Sequence, residues 1–335
     1  MTSPNKKKYL VTGGAGFIGS HLVEYLLKDG NEVCVLDNLS TGRTSNLLEF
    51  REDIEFIECD LSKPGIWQSE IRRFSNIFHL AALADIVPSI QNPVKYFQAN
   101  AAGTVNLLNG IKDFKHTKII YAASSSCYGI PEKYPTDENE KIDPKYPYAL
   151  TKRLGEEIVL HWSKVFGVSA ISLRLFNVYG PRSRTSGTYG AMFGVFLKQK
   201  LANHPFTIVG DGTQTRDFTF VSDVVNAMVT AMKSSIFSGI YNVGSDRTVS
   251  VNRIVELLGG EKVFIDKRPG EPDCTFADIT KIKKEFNWYP KVPIEKGIEK
   301  LLDGISYWEQ APLWTPEKIR EATTDWFLYL GKNNE

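Results

Sequence analysis

The chain has 335 residues, enough for one large domain or two, and its 42% hydrophobic and 24% charged residues are ordinary for a globular protein. Its 40 basic and 39 acidic residues leave a net charge of +1, which supplies no field to attract nucleic acid or an acidic membrane. No stretch approaches the roughly 20 apolar residues of a membrane span, and no signal peptide is evident. The four cysteines and five histidines lack metal-ligand spacing. We therefore expect a cytoplasmic protein with no metal site, no nucleic-acid partner and no membrane partner.

The first half of the sequence alternates β-branched apolar runs with helix-period segments. The runs are KYLVTG, EVCVLDN, IEFIECD, NIFHLAA, KIIYAAS and VSAISLRLFNVYG, and the helical segments include 20–29, 93–112 and 148–166. Strands separated by helices indicate βαβ crossovers. The sequence therefore predicts an α/β fold built on a doubly wound parallel sheet with helices on both faces.

The pattern changes near residue 180. The apolar runs become shorter and more irregular, as in PFTIVGDG, RDFTFVSD, IYNVGSD and KVFIDKRPG. We therefore expect a first domain over 1–178 and a smaller lobe over 179–310 from which the chain crosses back to the first domain.

The last segment, 311–335, carries helix signals of its own. Thr315 is a candidate N-cap, Pro316 suits the first helical position and Gly331 suits a helix stop. The apolar stripe of the predicted helix 316–330 consists of Ile319, Ala322, Trp326, Phe327 and Leu330. We expect this helix to pack on its own chain; an oligomer contact is the alternative.

Glycines separate the first strand from the first helix in TGGAGFIGS. Gly13, Gly16 and Gly19 follow a strand and open a helix, the context that distinguishes a dinucleotide-binding fingerprint from a chance match. Backbone amides at the helix start would bind a pyrophosphate, assisted by the helix dipole. Asp37 ends the second strand, where a carboxylate accepts hydrogen bonds from ribose hydroxyls and repels a 2′-phosphate. The sequence therefore predicts NAD, rather than NADP, as the cofactor.

A tyrosine and a lysine stand four residues apart in YPYALTKRLGEE. On a helix, Tyr148 and Lys152 share one face. A nearby ammonium stabilises a phenolate, so we expect Lys152 to lower the pKa of Tyr148 and let it exchange a proton with a substrate hydroxyl. Ser124 ends the strand KIIYAAS and adds a hydroxyl at the sheet edge where ligands bind in such folds. These three residues form the predicted catalytic unit.

Seven motifs together carry a family resemblance. TGGAGFIGS, DNLSTG, HLAA, YAASSSCYG, YPYALTK, LRLFNVYGP and RDFTFVSDV, in this order, resemble the extended short-chain dehydrogenase/reductase family, specifically its NAD-dependent nucleotide-sugar epimerase/dehydratase branch. The resemblance covers residues 8 to 305 and is greatest to the UDP-hexose 4-epimerases, including those that act on N-acetylhexosamines. It implies a Rossmann-type NAD-binding domain and a smaller C-terminal α/β lobe that binds a UDP-linked sugar. It also implies a homodimer formed through 93–112 and 148–166, and a role in carbohydrate metabolism and polysaccharide biosynthesis.

The resemblance assigns roles by position. It implies that NAD is bound by Gly13, Gly16, Phe17, Ile18, Gly19, Asp37, Asn38, Ser40, Thr41, Gly42, Asp60, Leu61, Leu80, Ala81, Ala82, Ala84, Asn100, Tyr148, Lys152 and Phe176. It implies that the nucleotide sugar is bound by Ser124, Ser125, Ser126, Asn177, Arg216, Arg268, Asp273 and Thr275. Better-known members often carry a lysine where this chain has Ala84.

Within the branch, two positions bear on the reaction. Dehydrating relatives carry an Asp-Glu pair directly after the catalytic hydroxyl residue, and decarboxylating relatives carry a Glu at the second position. This chain has Ser125 and Ser126 there, which favours 4-epimerisation through a transient 4-keto sugar. Thr275 stands where strict glucose/galactose enzymes carry a bulky residue, which leaves room for an N-acetyl group. The alternatives are a nucleotide-sugar C4 dehydrogenase or ketoreductase, a 4,6-dehydratase, and a non-catalytic NAD-binding sensor.

Overall fold

The structure, a computed structural model, describes residues 6–183 and 192–331. The parts of the predicted domain ranges at 1–5, 184–191 and 332–335 lie outside the described residues. No helix within the described part of the chain is long and apolar enough to cross a bilayer.

The described residues form strands and helices in the following chain order. The strands are β1 (Lys8–Thr12), β2 (Glu32–Asp37), β3 (Ile54–Glu58), β4 (Asn76–His79), β5 (Lys118–Ser124), β6 (Ser169–Leu175), β7 (Val178–Tyr179), β8 (Phe206–Val209), β9 (Thr215–Arg216), β10 (Thr219–Phe220), β11 (Ser238–Val243), β12 (Val249–Ser250), β13 (Lys262–Ile265) and β14 (Cys274–Thr275). The α-helices are α1 (Phe17–Lys28), α2 (Trp67–Glu70), α3 (Ile86–Gln91), α4 (Pro93–Phe97), α5 (Gly103–Ile111), α6 (Pro147–Phe166), α7 (Met192–Leu201), α8 (Val221–Lys233), α9 (Val251–Leu258), α10 (Thr280–Phe286), α11 (Ile294–Asp303), α12 (Pro316–Ala322) and α13 (Thr324–Leu330).

Seven parallel strands form the main sheet, in the order β11-β6-β5-β4-β1-β2-β3. From β1 the chain builds outward first on one side and then, from β4, on the other, so the strand order reverses between β1 and β4. In open sheets of this kind, ligands bind at the carboxyl ends of the strands beside that reversal. The doubly wound parallel sheet predicted from the sequence is confirmed.

The alternation of side chains along the strands supplies a core on each face of the sheet. Val11 and Val35 pack on one face with α1 and α8, whereas Leu10 and Leu36 pack on the other with α5 and α6. Both faces of these strands are apolar because helices cover both. This explains why the strands read as continuous apolar runs in the sequence.

One apolar run expected in the smaller lobe lies in the main sheet. IYNVGSD was expected in the second lobe, but β11 pairs along its whole length with β6 and completes the main sheet. The chain therefore crosses back from the second lobe to the first domain, as the sequence suggested.

The predicted helix 93–112 is interrupted. It consists of α4, a wider π-helical turn at Gln98–Ala102, and α5. In that turn the Asn100 side chain bonds both polar backbone atoms of Leu83, at 2.7 and 2.9 Å. The widened turn thereby directs the side-chain amide of Asn100 toward the loop after β4.

The smaller lobe has short strand pairs and its own core. β8 pairs with β13, and β9 lies between β12 and β14. The core is aromatic and aliphatic, with Phe193, Phe196, Ile254 and Trp308 among its buried members. The division at residues 178 and 310 stays a prediction. Within 179–310, β11 belongs to the main sheet and α8 packs against it.

The C-terminal segment packs on its own chain as two helices, α12 and α13, so the prediction of a single helix was wrong. Thr315 caps α12 as expected, accepting a bond from the Lys318 amide at 3.4 Å. The break falls at Thr323, whose hydroxyl donates to the Ile319 carbonyl at 2.8 Å and whose ψ of 7° departs from the helical value. The predicted stripe is buried only in part, because Ile319 and Trp326 are buried whereas Phe327 is 40% exposed.

Candidate active site

A cleft of about 640 Å³ runs along the carboxyl edge of the main sheet and faces the smaller lobe. Most of the site residues predicted from the sequence line this cleft. Those that line it are Gly13, Gly16, Phe17, Ile18, Gly19, Asp37, Asn38, Ser40, Thr41, Gly42, Asp60, Leu61, Leu80, Ala81, Ala82, Ala84, Ser124, Ser125, Ser126, Tyr148, Lys152, Phe176, Asn177, Arg216, Arg268 and Thr275.

Two predicted site residues do not line the cleft. Asn100 is buried behind it, where it holds Leu83 and bonds the Thr151 hydroxyl at 3.0 Å. Asp273 is exposed and forms an ion pair with Lys267. Asn100 therefore supports the cleft wall from behind.

The glycine turn brings three backbone segments into contact. A Cβ at Gly13 would lie 2.7 Å from the Ala81 amide nitrogen, and its φ of +72° favours glycine. A Cβ at Gly19 would lie 2.2 Å from the Gly13 carbonyl oxygen. Side chains are excluded at both positions, so the start of α1 lies directly against the turn and its amides face the cleft.

Asp37 lies at the end of β2, where the cleft begins. One carboxylate oxygen accepts a bond from the Ala15 amide at 3.0 Å and the other from the Leu39 amide at 2.8 Å. Burial raises the pKa of Asp37, and these amides oppose the rise. Each oxygen keeps a lone pair for a further donor, such as a ribose hydroxyl.

The helix that carries Tyr148 and Lys152 is fixed to the sheet one turn further on. Glu156 is buried and accepts bonds from Arg174 at 2.8 Å and from Ser172 at 2.7 Å, both on β6. The anchored carboxylate sets the rotation of α6, and with it the direction of the two functional side chains at its start.

Tyr148 faces Ser124 across the cleft. Removal of the phenol from water raises the pKa of Tyr148, a bond from the Ser124 hydroxyl opposes the rise, and the negative charge of Asp85 adds to it. The expectation that Lys152 lowers this pKa was therefore wrong for the free protein, because desolvation outweighs the favourable contacts.

Lys152 is buried on α6, one helical turn after Tyr148. Its ammonium lies 4.3 Å from the centre of the Tyr121 ring, and burial lowers the pKa of Lys152 to about 7, against a smaller opposing effect of Glu156. A lysine with this pKa changes its charge near neutral pH.

Two buried arginines approach the cleft from the smaller lobe. Arg216 bonds Glu271 at 3.0 Å, and Arg268 lies 3.6 Å from the other oxygen of the same carboxylate. Guanidinium groups placed in this way can grip a phosphate or carboxylate with two bonds each. Beside them, the Thr275 hydroxyl donates to the Asn177 side chain at 2.6 Å.

Sequence reasoning missed several residues of the cleft, among them Tyr146, Glu271 and Trp326. Tyr146 lies two residues before Tyr148, Glu271 lies three residues after Arg268, and Trp326 comes from the C-terminal segment. Glu271 and Trp326 carry no local pattern that separates them from surface or core residues. Tyr146 stands in the YPYALTK motif and could have been considered there.

A model of the NAD-dependent epimerase/dehydratase family matches residues 9–244. The chain belongs to this family. A protein of Methanocaldococcus jannaschii named putative UDP-glucose 4-epimerase is 34% identical over 302 residues, which cover 88% of this chain and 97% of the relative. UDP-glucuronic acid decarboxylase 1 of Xenopus tropicalis is also 34% identical, over 90% of this chain and 73% of its own length.

Solved structures give the same family. The UDP-glucuronic acid 4-epimerase of Bacillus cereus, solved with UDP-glucuronic acid and NAD, superimposes with a TM-score of 0.82 at 33% identity. The match covers 89% of this chain and 99% of that one. These relatives catalyse different reactions, so the side chains of the cleft have to distinguish between them.

Proposed function

We propose that the protein is an NAD-dependent nucleotide-sugar 4-epimerase that acts on a UDP-hexose or UDP-N-acetylhexosamine through a transient 4-keto sugar. The observation that carries this proposal is the convergence of Ser124, Tyr148 and Lys152 in a cleft that also contains a glycine turn and two arginines. A non-catalytic sensor would need the turn but not the other groups.

The residues at the sheet edge fit NAD. Gly13 and Gly19 line the cleft in a backbone turn too tight for any side chain, and Asp37 presents oxygens with unused lone pairs. Bound NAD would supply a hydride acceptor that can return the same hydride. The turn would hold its pyrophosphate and Asp37 its adenosine ribose.

Tyr148 moves the proton. Acting as its phenolate, Tyr148 takes the proton of the sugar's C4 hydroxyl and becomes the phenol, and it returns that proton to the C4 oxygen when the hydride comes back; the Ser124 hydroxyl, bonded to the same oxygen, orients it. Lys152, an ammonium below a pH of about 7, stabilises the phenolate before it takes the C4 proton.

The two positions after Ser124 favour epimerisation over the family's other reactions. Ser125 and Ser126 carry hydroxyls, and the Ser126 hydroxyl lies 2.8 Å from that of Ser124. Loss of water from the sugar needs an acid and a base beyond the tyrosine, and neither serine can act as a carboxylate. Overall sequence likeness does not decide this point, since a decarboxylase is as similar as an epimerase.

Epimerisation requires a firmly held diphosphate and a loosely held sugar, because the 4-keto sugar has to turn over between the two hydride transfers. Arg216 and Arg268 suit the first requirement. Thr275, small and partly exposed at the cleft, suits the second and leaves space for an N-acetyl group.

The test is incubation of the purified protein with UDP-, GDP-, CDP- and dTDP-sugars, followed by NMR of the products. We expect inversion at C4 of a UDP-sugar without added cofactor. Strict dependence on added NAD or NADH would instead identify a C4 dehydrogenase or ketoreductase, and absence of turnover on every sugar would contradict the proposal.

We further propose a cytoplasmic homodimer that associates through α4 and α6. Val94, Phe97 and Leu150 are large apolar side chains on these helices and are 47% to 68% exposed. Surfaces of this kind favour burial against a second copy.

Light scattering tests the dimer and should give twice the chain mass. Leu150→Glu should reduce the measured mass to that of the monomer, whereas the control Ile66→Glu, at an exposed site elsewhere, should not. A monomeric wild type would contradict the dimer.

A further inference from the structure

The C-terminal segment reaches the cleft through one side chain. Trp326, on α13, is 4% exposed and lines the cleft. The family resemblance ends near residue 305, and the Bacillus cereus enzyme, matched over 99% of its length, accounts for 89% of this chain. Trp326 is therefore a residue of the cleft to which the family resemblance assigns no role.

The indole joins the predicted catalytic tyrosine to a predicted phosphate-binding arginine. The Tyr148 and Tyr146 rings stack at 6.3 Å, and the Tyr146 ring lies 6.2 Å from that of Trp326. The guanidinium of Arg268 lies 5.5 Å from the centre of the Trp326 ring, within cation–π range. One continuous row of side chains thus runs from Tyr148 to Arg268.

The position of the indole is fixed from both sides. Its N–H donates to the carbonyl of Pro269 at 2.7 Å, the residue directly after Arg268. The neighbouring Asp325 accepts a bond from Gln91 on α3 at 2.8 Å, and Ile319 anchors α12 in the core of the smaller lobe. The ring therefore holds the backbone of the arginine loop as well as the guanidinium.

We propose that Trp326 is a positioning residue that holds Arg268 and Tyr146 in the geometry needed to grip the diphosphate of a nucleotide sugar beside Tyr148. This inference rests on the proposed function. A guanidinium on a long side chain loses rotational freedom when it binds a phosphate, and prior fixation against the indole reduces that cost. The chain thereby uses a segment outside the family resemblance to complete the substrate-binding side of the cleft.

The test compares four full-length, NAD-loaded proteins: wild type, Trp326→Ala, Trp326→Phe and Phe327→Ala. Phe327 lies on the same helix but is 40% exposed, so it controls for general damage to α13. Isothermal titration with UDP measures binding of the diphosphate, and titration of NAD into the same four proteins stripped of cofactor measures the integrity of the rest of the cleft. Steady-state kinetics of the NAD-loaded proteins separate KM from kcat.

We expect Trp326→Ala to weaken UDP binding about tenfold, the combined effect of a lost cation–π contact and a lost hydrogen bond. KM for the UDP-sugar should rise more than kcat falls, and NAD affinity should not change. Trp326→Phe keeps a ring next to Arg268 and should recover part of the loss, whereas Phe327→Ala should match the wild type.

The measurements distinguish failure of the proposed function from failure of the positioning role of Trp326. If the wild type binds no UDP, the proposed function is wrong. If the wild type binds UDP and Trp326→Ala binds it equally well, the positioning role alone is wrong. Loss of NAD and UDP affinity together in Trp326→Ala would also overturn the positioning role, because the effect would then be general.

Discussion

The carboxylate of Glu271 accepts a hydrogen bond from the guanidinium of Arg216, with 3.0 Å between Oε1 and Nη2. Its second oxygen lies 3.6 Å from Arg268. An internal anion thus lies between the two arginines predicted to bind the diphosphate of the substrate. A diphosphate that binds both arginines competes with it for their guanidinium groups.

Neutralising this carboxylate should strengthen nucleotide binding. We expect Glu271→Gln to tighten UDP binding about fivefold, equivalent to roughly 1 kcal/mol, because the amide competes less for the guanidinium groups. Glu261→Gln, an exposed position in the same lobe, is the control. Titration calorimetry measures the effect, and unchanged or weaker binding to Glu271→Gln would show that the carboxylate does not compete with the ligand.

Removal of the Tyr148 hydroxyl should separate chemistry from binding. Tyr148→Phe keeps the ring next to Tyr146 but cannot exchange a proton, so kcat should fall by about 10² to 10⁴ while bound NAD is retained. Tyr25→Phe, at a half-exposed site on α1, should have wild-type activity. A Tyr148→Phe protein with normal turnover would remove the tyrosine from the mechanism.

The buried amine of Lys152 should make stability depend on pH. Its pKa is about 7 in the folded chain against 10.5 for a free lysine. Between these values the unfolded chain carries a proton that the folded chain has lost, so the free energy of unfolding rises with pH. Lys152→Met lacks this contribution: it should be more stable than wild type near pH 7, with the difference narrowing toward about pH 10.

Urea unfolding of the free protein at several pH values measures this effect. Lys164→Met, at an exposed position on the same helix, should follow the wild-type curve at each pH. A difference between wild type and Lys152→Met that stays constant with pH would mean that the amine keeps an ordinary pKa.

Asp37 should set the preference for NAD. Asp37→Ala removes the acceptors proposed to bind the ribose and the charge expected to repel a 2′-phosphate, so we expect at least tenfold weaker NAD binding and a smaller difference between NAD and NADP. Glu58→Gln, an exposed residue at the end of the next strand, is the matched control. Equal cofactor preference in Asp37→Ala and wild type would assign the discrimination to other residues.

The parts of the site that the sequence predicted are those fixed by local pattern. The apolar runs locate β1 to β6, the glycines locate the turn, and the four-residue spacing places Tyr148 and Lys152 on one face of α6. These features depend on strand alternation, backbone sterics and helix periodicity, which act over a few residues.

The features that the sequence did not reveal depend on distant contacts. Glu271 and Trp326 reach the cleft only because the smaller lobe and the C-terminal helices fold back over it. The Thr323 hydroxyl donates to the Ile319 carbonyl where the helix breaks, a contact that a helical period does not disclose. The pKa of Tyr148 depends on how much water the cleft excludes, so proximity to a lysine did not predict its direction.

In the proposed reaction, one hydride leaves C4 of the sugar and returns to its opposite face within a single bound complex. The most direct measurement uses a UDP-sugar accepted by the enzyme, labelled with deuterium at C4, and follows both epimers by NMR and NADH by absorbance. We predict that the product epimer keeps its deuterium at C4 and that no NADH accumulates. Loss of deuterium to water, or release of a 4-keto sugar with reduced cofactor, would contradict the account.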